Sequence, residues 1–266
     1  MSILVVEILW NVSITLLLCM SILWAVSVKI KKACIIDCFW GMGFVIVSWM
    51  ALYIRWTHEA EIHWLHWQLF ICVHVWGLRL TKHLTQRFMN KEQEDFRYQN
   101  MRKHRMGYFH WWSLIAVFYL QGILLILISS PLWISFASSH HYSGIHGFAL
   151  VIYLIGLYLE WEADRSLRKA KKQGVTLLTQ GVWSLSRHPN YLGDACVWWG
   201  IALMAYQSPY GWIALLSAVL MNFLLLKVSG VPLLEKHMAQ KEGWKEYCEK
   251  TPIFWPNPLL LLKKRN

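Results

Sequence analysis

Three ionisable residues follow one another at intervals of four near the middle of the sequence: Glu160, Asp164 and Arg168. In an α-helix this spacing places all three on one face. The two carboxylates can accept hydrogen bonds from ribose or amide groups, and the arginine can bind a phosphate. A structural alternative stays open, in which Asp164 and Arg168 form an ion pair beside a basic stripe at the membrane surface.

A polar turn follows at residues 186–194, with the sequence SRHPNYLGD. Pro189 disfavours helical geometry at His188, and Gly193 allows another backbone to approach closely. An entry turn to the next helix, with Asp194 near the positive N-terminus, would explain the proline and the aspartate. It would not explain why so many hydrogen-bonding groups are packed together.

Three side chains of this turn suit a nucleotide ligand. Arg187 can donate two N–H groups to a phosphate. Asn190 can bind an amide or a ribose hydroxyl, and Tyr191 can stack or donate a proton. The chain has no Gly-x-Gly-x-x-Gly sequence, so a dinucleotide would bind through basic loops and not through a Rossmann fold.

The elements that position these residues follow from composition. Hydrophobic residues make up 56% of the 266 residues, charged residues only 15%, and there are 18 Trp. Soluble proteins average about 45–50% apolar and about 25% charged residues. The composition therefore excludes a soluble globule and a disordered chain, and it predicts a polytopic membrane protein.

Apolar stretches of spanning length predict seven transmembrane helices in one integral-membrane domain, 1–266. No alternating pattern of a membrane barrel is present, so the fold class is all-α. The predicted spans are residues 3–28, 33–54, 64–80, 110–134, 144–163, 191–209 and 211–228. Gln121, inside the fourth span, is predicted to cross-link helices by hydrogen bonds, and residues 233–248 are predicted to form one amphipathic cytoplasmic helix.

The basic residues fall on one side of these spans. Of the 26 Lys and Arg residues, all but Arg55 lie in the loops that share a side with the C-terminus. The positive-inside rule therefore predicts an external N-terminus and a cytoplasmic C-terminus, as in a bacterial inner-membrane protein. The net charge of +11 then reflects topology and contact with anionic membrane lipids, and nucleic acid is not an expected partner.

No metal centre or disulfide framework is predicted. The six cysteines form no Cys-x-x-Cys pair and lie in spans or on the cytoplasmic side, so they are interpreted as reduced apolar residues. His66 and His74 share a face of the third span, but a metal ion needs more ligands than this.

Several segments together resemble the steroid 5-alpha-reductase C-terminal superfamily, most closely its largely uncharacterised bacterial membrane branch. The resemblance covers roughly residues 30–258. It rests on RHPNYLGD at 187–194 with WWG at 198–200, DCFWG at 37–41, GLRL at 77–80, EDFRY at 94–98, LQG at 120–122, Glu160 and Asp164, SGVPLLEK at 229–236, and Tyr247.

The resemblance implies a seven-helix membrane reductase that uses NADPH to reduce a carbon–carbon double bond conjugated to a carbonyl. Its lipophilic substrate would enter from the bilayer and its cofactor from the cytoplasm. The Arg-His-Pro-x-Tyr-x-Gly pattern also recurs in isoprenylcysteine and phospholipid methyltransferases, which bind S-adenosylmethionine. A membrane methyltransferase therefore stays open as an alternative, and so does a non-enzymatic lipid-binding scaffold.

The resemblance and the polar residues together define a candidate site. The predicted cofactor-binding residues are Arg79, Arg97, Arg102, Glu160, Asp164, Arg168, Arg187, His188, Asn190, Tyr191, Asp194, Glu235 and Tyr247. Characterised steroid reductases pair a Gln-Glu near the second span with a Tyr in the third, and this chain lacks that set. Asp37 and His74 stand near those places, and with Tyr191 they are the predicted catalytic residues.

Overall fold

The computed structural model describes residues 3–105, 107–139, 143–228 and 230–256. All regular secondary structure within these ranges is helical, which confirms the predicted all-α class. The helices of the first half are α1 Ile3–Ile30, α2 Ile35–Thr57, α3 Trp64–Met89, α4 Phe96–Lys103, α5 Phe109–Ser113, α6 Leu120–Ile128 and α7 Ser130–Phe136. Those of the second half are α8 Gly144–Lys172, α9 Pro189–Ala205, α10 Gly211–Phe223, α11 Val231–Met238 and α12 Trp244–Lys250.

Five helical stretches in the described ranges are long and apolar enough to cross a bilayer, which identifies an integral membrane protein. They are Ile3–Ile30, Ile35–Thr57, Phe109–Ile128, Gly144–Lys172 and Gly211–Met238. The predicted count of seven is not confirmed. The other two predicted spans are helices, but α9 has 17 residues, and α3 carries Arg79, Lys82 and Arg87.

Some sequence predictions fall partly outside the described residues. Ser229 of the 229–236 segment, residues 257–258 at the end of the predicted reductase-like region, and the C-terminal Asn266 are among these. The described residues form two compact units. The first comprises Met1–Tyr142 and Ala205–Ser217, and the second comprises Ser143–Met204 and Ala218–Asn266.

In the first unit, α2 and α3 cross where each has a glycine. A Cβ atom added at Gly77 would lie 2.7 Å from the carbonyl oxygen of Gly41. The rings of Phe44 and Trp76, 5.6 Å apart between centroids, fill the same interface and are fully buried. The two backbones therefore approach as closely as small residues in membrane helices allow.

Arg55, the exception to the charge asymmetry, is buried in the first unit. Its Nε donates to the carbonyl of Glu61 at 2.7 Å, and its Nη1 donates to the carbonyls of Phe136 and Ser138 at 2.9 and 3.0 Å. These carbonyls lie beside or beyond helix ends, where backbone acceptors lack partners within the helix. Arg55 therefore ties helix ends together and is not an exposed loop charge.

The fourth predicted span is interrupted by a π-helical segment, Leu114–Tyr119, which joins α5 to α6. Beyond it, Gln121 accepts a hydrogen bond from Trp40 Nε1 at 2.6 Å and approaches the Tyr98 hydroxyl at 3.5 Å. The predicted cross-linking role of Gln121 is confirmed, since it connects α6 to α2 and α4.

In the second unit, α8 and α9 pack through three glycines. A Cβ atom on Gly193 would lie 2.6 Å from the backbone nitrogen of Glu160 and from the carbonyl oxygen of Gly156. One on Gly200 would lie 2.7 Å from the Cβ of Tyr153. The close backbone approach predicted at Gly193 is confirmed, and it sets Glu160 against the start of α9.

The prediction of one amphipathic helix over residues 233–248 is wrong. Two short helices, α11 and α12, occupy this region, and residues 239–243 separate them. Gly243 adopts a left-handed conformation with φ of 75°, which ends the run of helical backbone. All six cysteines are free in the structure.

Candidate functional site

The first unit contains a polar network around Asp37, in the first turn of α2. Its Oδ2 accepts a hydrogen bond from Arg97 Nη2 at 2.6 Å, and its Oδ1 accepts one from the Tyr98 hydroxyl at 2.8 Å. Both partners lie on α4, about sixty residues away in sequence. Tyr98 is buried, and this burial together with the nearby charge of Asp37 raises its pKa well above the ordinary value.

Asp95 is the N-cap residue of α4, and several cationic side chains contact it. Its Oδ1 accepts hydrogen bonds from the backbone nitrogen and the Nε of Arg97 at 3.2 and 3.0 Å. Lys91 lies 3.4 Å and Arg87 3.5 Å from Oδ2. Burial alone would raise the pKa of Asp95, but these neighbours, above all Arg97, hold it below its ordinary value.

The lowered pKa of Asp95 predicts an acid-dependent stability. The ionised carboxylate stabilises the fold above the unfolded pKa of about 3.8, and this contribution is lost as pH falls through the folded pKa. We expect Asp95→Asn, which keeps the side-chain shape, to melt at a lower temperature at pH 6 and to lose less stability between pH 6 and 3. Glu92→Gln, at an exposed position, is the control. If the melting temperatures of wild type and Asp95→Asn fall by the same amount between pH 6 and 3, this assignment is wrong.

Glu94 secures the same loop to the start of α2. Its Oε1 accepts the backbone N–H of Ala33 at 2.5 Å, and its Oε2 accepts Arg102 Nε at 3.2 Å. The guanidinium of Arg102 also lies 4.2 Å from the ring centroid of Phe109. Arg97 and Arg102, both predicted to bind the cofactor, are therefore each held by carboxylates of their own unit.

His74 lies apart from this network. Its Nδ1 is 2.8 Å from the carbonyl oxygen of Phe70, one turn earlier on α3. Its ring packs on Phe70 and edge-on against Trp49. Among the described residues no carboxylate contacts His74, so its predicted catalytic role has no acidic partner there. Arg79 lies half-buried farther along α3.

In the second unit, a group of polar residues lies at the turn before α9. The hydroxyl of Ser186 accepts the backbone N–H of His188 at 3.1 Å, and the N–H of Arg187 donates to the carbonyl of Pro252 at 3.0 Å. Pro189 then occupies the first position of α9, which its fixed φ angle favours. The turn is thus fixed at both sides of Arg187.

A glutamate from α11 joins the two side chains of this turn. Glu235 Oε2 lies 3.0 Å from Arg187 Nη1, and Oε1 lies 2.7 Å from His188 Nε2. Burial lowers the pKa of His188, and the hydrogen bond to Glu235 only partly opposes this effect. His188 is therefore neutral at pH 7 and donates from Nε2 to Glu235.

Arg187 has one hydrogen-bond donor that no described residue uses. Its Nη1 also contacts Cys248 Sγ, and its guanidinium lies 5.6 Å from the ring centroid of Trp244. Its Nε–H is buried and has no hydrogen-bond partner among the described residues. A buried donor without a partner is costly. The donor therefore suits an acceptor supplied by a ligand, such as a phosphate oxygen.

Tyr247 closes the cluster from α12. Its hydroxyl donates to the carbonyl of Trp183 at 2.6 Å and lies 3.4 Å from the carbonyl of Ser186. Burial raises the pKa of Tyr247, so the hydroxyl stays protonated. The structure thus brings four predicted site residues together: Arg187, His188, Glu235 and Tyr247. We call these four residues the Arg187 cluster.

The remaining predicted residues of this unit lie on α8 and α9. Glu160 and Asp164 are buried, with exposed fractions of 4% and 8%, whereas Arg168 one turn further is exposed. On α9, the Tyr191 ring stacks on His188 with 6.0 Å between centroids. Asn190 and Asp194 are half-buried in the first turns of the same helix.

Comparison with known proteins gives the family. A family model described as "Protein of unknown function (DUF1295)" matches residues 23–251, most of the chain. The chain belongs to this family. The described ranges of this DUF1295 protein contain no group of three or more His, Cys, Asp or Glu residues that could hold a metal ion.

Two vertebrate sterol reductases are similar to part of the DUF1295 protein. A Delta(14)-sterol reductase of Mus musculus is 38% identical over 82 residues, which are 30% of this chain and 18% of that protein. A Delta(14)-sterol reductase of Gallus gallus is 35% identical over 82 residues, or 30% of this chain and 12% of that protein. The similarity thus covers less than a fifth of either relative. No solved structure matches the DUF1295 protein.

Several residues that organise the network around Asp37 and the Arg187 cluster are absent from the predicted site residues. Tyr98 is not a predicted site residue, although it is a buried partner of Asp37. Ser186 accepts a hydrogen bond from His188 in the turn before α9, and the carbonyl of Trp183 accepts one from Tyr247. Neither residue is among the predicted site residues. The recurrence of small residues at a spacing of seven, as in Gly193 and Gly200, was the available signal for the α8–α9 contact.

Proposed function

We propose that this protein is a membrane NADPH-dependent reductase that reduces a conjugated carbon–carbon double bond in a lipophilic substrate. The observation that carries the proposal is the Arg187 cluster, in which a buried Nε–H suits a phosphate oxygen. Family membership and the partial similarity to Delta(14)-sterol reductases support the reaction type. The substrate is a steroid-like, isoprenoid or acyl compound that enters from the bilayer.

The cofactor-binding roles divide by chemistry. Arg187 and the exposed Arg168 bind phosphate, and the buried Glu160 and Asp164 bind hydroxyl or amide groups of the nicotinamide half. Arg79, Arg97 and Arg102 are further basic candidates, although Arg97 and Arg102 already make ion pairs. His188, Asn190, Tyr191, Asp194, Glu235 and Tyr247 orient the turn and its ligand. NADPH supplies the hydride.

Besides the hydride, the reaction needs groups that polarise the substrate carbonyl and deliver a proton. A hydride added to the β-carbon leaves an enolate, and a proton must then reach the α-carbon. We propose Asp37, His74 and Tyr191 for polarisation and proton delivery. Asp37 accepts hydrogen bonds from Arg97 and from the Tyr98 hydroxyl, so the proton of this pair is carried by Tyr98. The proposed roles of His74 and Tyr191 rest on their chemistry alone.

Calorimetric titration in detergent tests the cofactor. We expect the purified full-length protein to bind NADPH more tightly than NADH and to show no tight binding of S-adenosylmethionine. Tight S-adenosylmethionine binding without NADPH binding would support a membrane methyltransferase instead. Absence of all three affinities would support the lipid-binding scaffold.

Asp164→Asn separates a binding role from a structural one. The change keeps the shape of a buried side chain and removes its charge. We expect NADPH affinity to fall about tenfold or more, because a charged hydrogen bond contributes about 1.5–3 kcal/mol, while the melting temperature stays near wild type. Glu162→Gln, at a half-buried position on the same helix, should change neither quantity. Lower stability with unchanged affinity would remove Asp164, and Glu160 with it, from the site.

The orientation of the chain is a further part of the proposal. We propose an external N-terminus and a cytoplasmic C-terminus in a bacterial inner membrane, because the basic residues fall on one side of the spans. A reporter inserted at Ser139 should be read outside, and one fused after the last residue should be read in the cytoplasm. A C-terminal reporter found outside would contradict the orientation and the cytoplasmic entry of the cofactor.

A further inference from the structure

Two basic segments of the first unit flank two candidate spans, one at the end of α1 and one before α5. They are joined where Arg102 Nη2 donates to the carbonyl of Lys31 at 3.4 Å. A second contact joins the flanking helices, since Trp24 Nε1 donates to the carbonyl of His110 at 2.8 Å. We call five residues of these segments the basic patch: Lys29, Lys31, Lys32, Lys103 and Arg105.

The described part of the chain does not neutralise the charges of the basic patch. None of its five members forms an ion pair with a carboxylate among the described residues, whereas Arg102 between them is paired with Glu94. Lys32 Nζ donates to a backbone carbonyl, that of Lys91, at 2.9 Å. Lys29, Lys31 and Lys103 are exposed. The patch therefore presents positive charge that an external anion can satisfy.

Aromatic rings place this charge at the depth of lipid headgroups. The rings of Trp24 and Trp111 lie 5.3 Å apart, and Trp111 is 69% exposed. The Arg105 guanidinium lies 3.7 Å from the ring centroid of Trp112. Tryptophan concentrates where membrane meets water. Cations held beside such rings lie within reach of headgroup phosphates and far from the centre of the bilayer.

We propose that the basic patch is a binding site for the headgroup of an anionic phospholipid. Phosphate oxygens are strong acceptors for lysine and arginine, and clusters of four to eight basic residues beside a span are typical of anionic-lipid recognition. A zwitterionic headgroup also carries a phosphate, but its own ammonium offsets the attraction. The site shares no residue with the Arg187 cluster and does not depend on the reductase activity.

The test measures lipid binding to the full-length, delipidated protein. Native mass spectrometry would count bound phosphatidylglycerol and phosphatidylcholine for wild type, for the patch variant Lys31→Gln/Lys103→Gln/Arg105→Gln, and for a control. The control, Lys172→Gln/Lys236→Gln/Lys245→Gln, removes three exposed charges from the second unit. We expect the patch variant to lose phosphatidylglycerol affinity at least tenfold and the control to lose less than twofold.

Two further measurements keep the result interpretable. Unchanged phosphatidylcholine binding and melting temperature would show that the patch variant is folded, and the single variant Arg105→Gln replaces it if it is not. Inorganic phosphate should not displace phosphatidylglycerol, because the proposed ligand is anchored in the bilayer. Equal losses in the patch and control variants, no loss in the patch variant, or displacement by inorganic phosphate would each overturn the proposal.

Discussion

Replacing Arg187 by alanine is expected to weaken NADPH binding by about tenfold or more. The guanidinium forms an ion pair with Glu235. Its buried Nε–H has no acceptor among the described residues. A charged hydrogen bond to a phosphate contributes about 1.5–3 kcal/mol, which sets the size of the loss. Titration calorimetry on detergent-purified protein measures it. Arg187→Lys should recover part of the affinity, since an ammonium keeps the charge but not the paired donor geometry.

A second arginine serves as the control for this change. Arg165 is 63% exposed in its side chain and lies 3.8 Å from Glu162 on the same helix. Arg165→Ala removes the same charge from the same unit and should leave the affinity unchanged. If both alanine variants lose affinity equally, the effect comes from general electrostatics and Arg187 is not a phosphate ligand. If neither does, the Arg187 cluster has only a structural role.

Placing a methyl group at Gly193 is expected to cause a large loss of stability. The added Cβ would lie 2.6 Å from two backbone atoms of α8, at Glu160 and Gly156, and neither can move without shifting the helix. Overpacking of this kind costs about 1–3 kcal/mol and occasionally more. We expect Gly193→Ala to lower the melting temperature, and to weaken NADPH binding as well because Glu160 would be displaced.

Gly144→Ala is the matched control for Gly193→Ala. Gly144 begins α8, and a Cβ there meets nothing within 4 Å. The same substitution should be neutral or slightly stabilising, since alanine favours helix more than glycine by about 1 kcal/mol. A Gly193→Ala protein that melts with wild type would show that α8 and α9 are not in backbone contact.

The helical membrane fold was predictable because long apolar runs are read locally. The contacts of Asp37 are an example of what local sequence patterns do not predict. Its partners Arg97 and Tyr98 are some sixty residues away, and their meeting depends on how α2 and α4 pack, which no local spacing encodes. The single helix predicted over 233–248 failed for a related reason. The left-handed conformation of Gly243 is a property of the backbone, and the hydrophobic pattern does not reveal it.

The candidate site was predictable as a set of residues but not as a geometry. Arg187, His188, Glu235 and Tyr247 are all among the residues predicted from the sequence. Their mutual contacts were not, because Glu235 and Tyr247 belong to two short helices whose direction is set by the break between them. Gly193 was the exception. Its role as a point of close approach followed from its missing side chain and was confirmed by the α8–α9 contact.

The π-helical segment Leu114–Tyr119 changes the rotational phase of the fourth apolar stretch. Each hydrogen bond of a π-helix spans five residues, one more than in an α-helix, so the faces before and after the segment are out of step with a continuous α-helix. Tyr119, the last residue of this segment, contacts Ser21 on α1 at 3.0 Å, while Gln121, two residues later, contacts Trp40 on α2. The fourth apolar stretch thus contacts two different neighbours through polar groups directly after the point where its phase changes.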